Sequence, residues 1–166
     1  MEVSEARSKF IESWGKLGIN WGISRTMAQV HALLLISPSP LCTNEIIDEL
    51  KISRGNVNQN VRTLIDWGLV HKELRCGDRK EYFYAEKDIW TVLRQVIKHR
   101  KKKELDPMLD VLESLSAVDP DSDEGRELTK VTNEVLHFSK KTDKALDNLV
   151  KSEKNWLTKA VFNMIR

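Results

Sequence analysis

Two cysteines, Cys42 and Cys76, are all that 166 residues contain. That excludes a disulfide-framed fold and fits a reducing, cytoplasmic setting. Long apolar runs are equally scarce. The longest, ALLLI at 32–36, falls far short of the roughly 20 residues a bilayer requires, so no membrane partner is expected. The opening MEVSEARSKF mixes acids with bases and leads into no apolar stretch, which argues against a signal peptide. The four histidines, His31, His71, His99 and His137, show no metal-ligand spacing to one another or to the cysteines. There is no glycine-rich phosphate loop, no G-x-S-x-G elbow and no acid pair set in an apolar segment. Neither an enzyme nor a bound cofactor is expected.

What is present is a globular composition, 40% apolar and 31% charged, sized for one sizeable domain or a small one with an appendage. Phe10, Ile11, Trp14 and Leu17 give residues 4–17 a helical period, which GINWGIS then interrupts. Met27, Val30, Leu33 and Leu34 mark a second helix over 26–36, ended by SPSP at 37–40. Thr43 is suited to cap a short helix carrying Ile46, Ile47 and Leu50. Ser53 is suited to cap the next, which Gly68 stops. The period then changes from 3.6 to 2. Residues 69–74 and 81–85 read as strands, with RCGDRK between them as a hairpin turn. Helix, short helix, tight turn, helix and hairpin is the order of a winged helix-turn-helix.

The fourth segment, SRGNVNQNVRTLIDWG, is rich in asparagine, a poor helix former. On a helical wheel Val57, Val61, Leu64 and Ile65 nevertheless share one face. Gly55, Asn56, Gln59, Arg62, Thr63 and Asp66 share the opposite one, with Asn58 and Asn60 at its flanks. An ordinary solvated face prefers glutamate and lysine. Here no acid occurs before Asp66. Asparagine and glutamine can pair with adenine edges and arginine with guanine, and recognition helices read mostly with their N-terminal residues. Gly55 would let backbone approach a phosphate or base.

Charge follows the same map. Residues 53–80 hold six basic and three acidic side chains, whereas residues 1–52 hold five basic and six acidic ones. Phosphate contacts would supply most of a nucleic-acid affinity, so double-stranded DNA is the expected partner. The expected contacts are Ser53, Arg54, Gly55, Asn56, Asn58, Gln59, Arg62 and Thr63 from the helix, with Arg75, Arg79 and Lys80 from the wing. The rival expectation is a winged-helix protein-interaction module that leaves DNA untouched.

WGISRTMAQVHALLLIS at 21–37, ISRGNVNQNVRTLIDWGLV and the wing CGDRKEYFYAEKDIW together resemble the GbsR branch of MarR-type transcriptional regulators. The resemblance covers about residues 14–100. It implies a homodimeric winged-helix DNA-binding protein, commonly a repressor. The recognition helix would be 53–67, the wing 75–82, and the helices after Asp88 would supply the dimer interface. Some members respond to a small ligand such as choline, so a small-molecule effector is admitted, although no motif fixes its residues.

Beyond Asp88 the chain reads as helical. Leu128, Val131, Val135, Phe138, Thr142, Ala145 and Leu149 step by three and four, a heptad seam with one polar position. Leu128, Val131, Val135, Phe138, Ala145 and Leu149 are therefore expected to hold a second copy of the chain. A last short helix is expected from Trp156 to Ile165. The basic run KHRKKK at 98–103 reads as a solvated charged segment, with DNA phosphate contact beside the wing as the alternative. Cys76 reads as a passive thiol, with a redox switch as the alternative. Trp14, Trp21 and Trp90 could line an aromatic cage, but core packing is the simpler role. The expected protein is mostly α with a small β-hairpin wing: a winged helix-turn-helix domain over 1–90 and a helical dimerisation region over 91–166.

Overall fold

The computed structural model describes residues 1–115 and 122–152. The expected helix at 156–165 and part of the expected break at 119–125 lie outside the described residues. The chain divides into two compact units, Met1–Val92 and Leu93–Arg166.

The first unit is built from α1 (Val3–Asn20), α2 (Arg25–Ile36), β1 (Leu41–Cys42), α3 (Thr43–Leu50), α4 (Arg54–Asp66), β2 (Val70–Leu74) and β3 (Glu81–Ala85). Helix α1 runs three residues past the expected end at Leu17. Gly18 stays helical because it packs against α2, where a Cβ would meet Ala28. Ser24 caps α2, its hydroxyl accepting from the Met27 amide at 3.1 Å. Val30, Ala32, Leu33 and Leu34 of α2 form the centre of the core with Ile46, Val57, Val61 and Leu64. His31 is also buried, 5% exposed.

One sequence expectation is corrected here and another is extended. Thr43 is not the cap of α3 but its first residue. Cys42 is the cap, and the Glu45 carboxylate reaches back to accept from the Cys42 amide at 2.7 Å. That is the reciprocal arrangement of a capping box. The expected hairpin forms between β2 and β3, but the sheet gains a third strand that was not expected. Leu41 and Cys42 pair antiparallel with Phe83 and Tyr82, giving a three-stranded sheet in the order β1-β3-β2. In β2 and β3, Val70 faces Ala85 and Leu74 faces Glu81. Val70, Phe83 and Ala85 point inward.

After the wing, Lys87 donates to the carbonyls of Leu34, Leu35 and Ser37 at 3.0, 2.5 and 2.9 Å. Its ammonium thereby satisfies the open end of α2 and complements its dipole. Partial burial lowers its pKa.

Helix α5 (Ile89–Arg100) passes through a π-helical turn, Lys101–Leu105, into α6 (Asp106–Leu115), and α7 (Asp123–Lys151) follows. In the second unit Leu112 of α6 and Thr132 and Ser139 of α7 are buried. Lys101 is a hub there: its ammonium lies 2.8 Å from Asp143, 3.3 Å from Asp106 and 3.4 Å from Asp147. Those contacts, led by Asp143, raise its pKa. The run at 98–103 is thus not wholly solvated, since one of its lysines binds three carboxylates. Among the described residues no helix is long and apolar enough to cross a membrane.

Candidate nucleic-acid interface

Helix α4 has the expected two-sided build. Val57, Val61 and Leu64 are buried, while Arg54, Gly55, Asn56, Asn58, Gln59 and Arg62 are exposed. Propensity costs reach about 0.7 kcal/mol for each asparagine and about 1 kcal/mol for Gly55. They are offset by the three buried side chains, each worth about 1.5–3 kcal/mol. At the start, the Ser53 hydroxyl accepts from the Asn56 amide at 3.3 Å. At the end, the amides of Gly68 and Leu69 donate to the carbonyls of Ile65 and Leu64 at 2.8 and 2.9 Å, with Gly68 at φ 72°. This left-handed closure needs glycine and turns the chain directly into β2.

The polar face is not uniform. Ser53 serves the helix as its cap. The Thr63 hydroxyl donates to the Gln59 carbonyl at 3.0 Å, and Asn60 Nδ2 donates to the Asn56 carbonyl at 2.8 Å. Asn56, Asn58, Gln59 and Arg62 present their side chains to solvent. Gly55 is the most telling position. A Cβ there would meet nothing nearer than the Ser53 hydroxyl at 4.0 Å, and its backbone is not left-handed. Among the described residues nothing requires glycine at this point.

The wing tip is knitted by Asp78. Its carboxylate accepts from the Lys80 amide at 2.9 Å and from the Tyr82 hydroxyl at 2.7 Å. These bonds lower the Asp78 pKa, and the bond to Asp78 raises that of Tyr82. Gly77 takes φ 80° at the turn. Arg75 is held by Glu73 at 3.1 Å and lies 3.9 Å above the Tyr82 ring, so it braces the base of the tip. Arg79 and Lys80 project from it.

Helix and wing meet in a cleft of about 380 Å³ lined by Thr43, Asn44, Arg54, Asn58, Arg79 and Lys80. The structure thus brings together four of the expected contacts, Arg54, Asn58, Arg79 and Lys80. It leaves Arg62 and Thr63 further along α4, outside the cleft lining. Asn44 was missed. An asparagine in the first turn of a short helix looks like ordinary surface, and only the fold sets it 2.6 Å from Arg54.

On α7 the expected seam faces outward. Leu128, Val131, Val135 and Phe138 are exposed, Phe138 at 70%. Ala145 is exposed and Leu149 half-buried. Of the tryptophans, Trp14 stacks on Phe10 at 5.3 Å and lies 6.2 Å from His31, a packing role.

Residues 21–81 match the MarR family. The chain is 24% identical over 115 residues to the HTH-type transcriptional repressor GbsR of Bacillus subtilis (strain 168), an alignment covering 69% of this chain and 63% of GbsR. The chain therefore spans under two thirds of that relative's length. It is 21% identical over 155 residues to YvaV of the same strain, covering 93% of this chain and 81% of YvaV. Among solved structures, the crystal structure of a transcriptional regulator shares the fold, with a TM-score of 0.60 at 20% identity over 86% of this chain and 99% of that one. The chain is thus similar to the MarR family over residues 21–81 and, over longer spans, to the regulators GbsR and YvaV.

Proposed function

We propose that the chain is a non-enzymatic, sequence-specific DNA-binding transcriptional regulator that acts as a homodimer and represses. The observation that carries the reading is Gly55 on the exposed front of α4. The chain has no steric need for this glycine, whereas a backbone that must approach a phosphate or base edge does. Asn56, Asn58, Gln59 and Arg62 stand on the same front, and Arg79 and Lys80 flank it from the wing.

The exposed seam of α7 supports the dimer. Leu128, Val131, Val135 and Phe138 make an apolar stripe that no described residue covers, and a heptad repeat suits a second copy. Two modules related by a twofold axis would read a palindromic operator with half-sites about one helical turn apart.

Fluorescence anisotropy of a labelled random-sequence duplex across a salt series tests the reading. A DNA-binding regulator loses affinity linearly in log salt, with a slope of about −0.9 per phosphate contacted. No binding at low salt would overturn it in favour of a protein-interaction module.

A further inference from the structure

Arg54 opens α4 and Asn44 lies in the first turn of α3. Arg54 Nη2 donates to Asn44 Oδ1 at 2.6 Å. This bond holds one edge of the guanidinium and leaves its other N–H groups directed elsewhere. Both residues line the cleft whose other wall carries Arg79 and Lys80. Among the described residues no carboxylate stands within ion-pair distance of Arg54, Arg79 or Lys80. The acids nearby are engaged. Glu81 of the cleft wall pairs with Lys72 at 2.8 Å. Glu45, beside Asn44, spends its carboxylate on the Cys42 amide. The cleft lining carries three cations, Arg54, Arg79 and Lys80, against one carboxylate, Glu81, which pairs with Lys72, and that excess of positive charge suits a multidentate anion.

We infer that Asn44 is a positioning residue: it fixes Arg54 across the cleft from Arg79 and Lys80, so that the cleft grips one phosphate group of a bound DNA strand. The inference rests on the DNA-binding reading above. Asn44 removes the rotamer freedom that a lone arginine would lose on binding, and it adds no charge of its own.

The test is a double-mutant cycle in the full chain on a random-sequence duplex, read as affinity and salt slope. Arg54→Ala is expected to weaken binding about tenfold and make the slope shallower by about one phosphate contact. Asn44→Ala, which removes no charge, is expected to weaken binding about threefold. The double variant is expected to bind no worse than Arg54→Ala alone, because Asn44 acts through Arg54. Thermal melts verify that all three variants fold. Additive losses, or an Asn44→Ala protein that binds like the parent, overturn the inference while leaving the DNA reading intact. A parent protein that binds no duplex at low salt overturns both. Inorganic phosphate at constant ionic strength that raises the melting temperature of the parent but not of Arg54→Ala would assign the cleft to the free anion, overturning its assignment to the DNA backbone.

Discussion

Gly18 of α1 lies so close to Ala28 of α2 that a Cβ on the glycine would stand 2.4 Å from the alanine methyl. Side chains of Ile23 close the same spot at 3.1 Å. Neither neighbour can retreat, since Ala28 is buried on a helix and the Ile23 amide is bonded to the Gly18 carbonyl at 3.0 Å. Gly18→Ala is therefore expected to destabilise the winged unit by about 1–3 kcal/mol through overpacking, despite alanine's better helix propensity. At Gly15 the nearest atoms belong to the flexible Gln29 side chain, so Gly15→Ala should cost less. Urea midpoints of the two variants check the order.

His31 makes stability depend on pH. Its Nε2 is buried with no hydrogen-bond partner among the described residues, and desolvation lowers the ring's pKa from 6.5 to about 4. The folded state holds a neutral ring, whereas the unfolded chain takes up the proton near pH 6.5. The contribution is complete above pH 6.5 and is lost as pH falls toward 4, by up to about 3 kcal/mol. Urea titrations between pH 7 and 4.5 should show this slope, and His31→Leu should flatten it. An equal slope in the variant would contradict the assignment.

Lys101 is expected to be the costly residue of its basic run. Lys101→Met leaves Asp106, Asp143 and Asp147 to repel one another around one point. A loss of about 1–2 kcal/mol is expected, between the worth of an exposed pair and that of a buried one. Changing Lys102 or Lys103 should do little. Melting curves of the Lys101, Lys102 and Lys103 variants at pH 7 check both statements.

Phe138 offers a clean test of the dimer. It is 70% exposed within one chain, so Phe138→Asp should leave the protomer folded. If the α7 seam holds the second copy, sedimentation should show the variant as a monomer and its DNA affinity should fall sharply. An unchanged dimer would move the interface elsewhere.

How much of this was legible in the sequence varied with the physics of each element. The Ser53 cap, the buried Val57 and Val61, the Gly68 stop and the alternating strands were all local signals, and each appears where it was expected. Strand β1 was not legible because two residues after a proline carry no period; only pairing with Phe83 and Tyr82 makes them a strand. The partner of Arg54 was invisible for a related reason, since Asn44 is ten residues away and becomes a neighbour only when α3 packs on α4. On α7 the sequence showed an apolar stripe but could not say that the helix buries Thr132 and Ser139 within its own unit. Polar residues face inward there and the heptad faces out, the reverse of an ordinary surface helix.

The most direct measurement of the central claim, that the first two turns of α4 meet DNA, is the pair of effects of Gly55→Ala. The added methyl has open space in the chain and a permitted backbone. Thermal or urea unfolding should show the variant more stable by about 0.5–1 kcal/mol from helix propensity alone. Duplex binding by the same protein should be weaker by about tenfold or more, near 1.4 kcal/mol, because the methyl stands where backbone must approach the nucleic acid. Opposite signs for stability and affinity are the expected result. A variant that gains stability and binds DNA as well as the parent would contradict the claim.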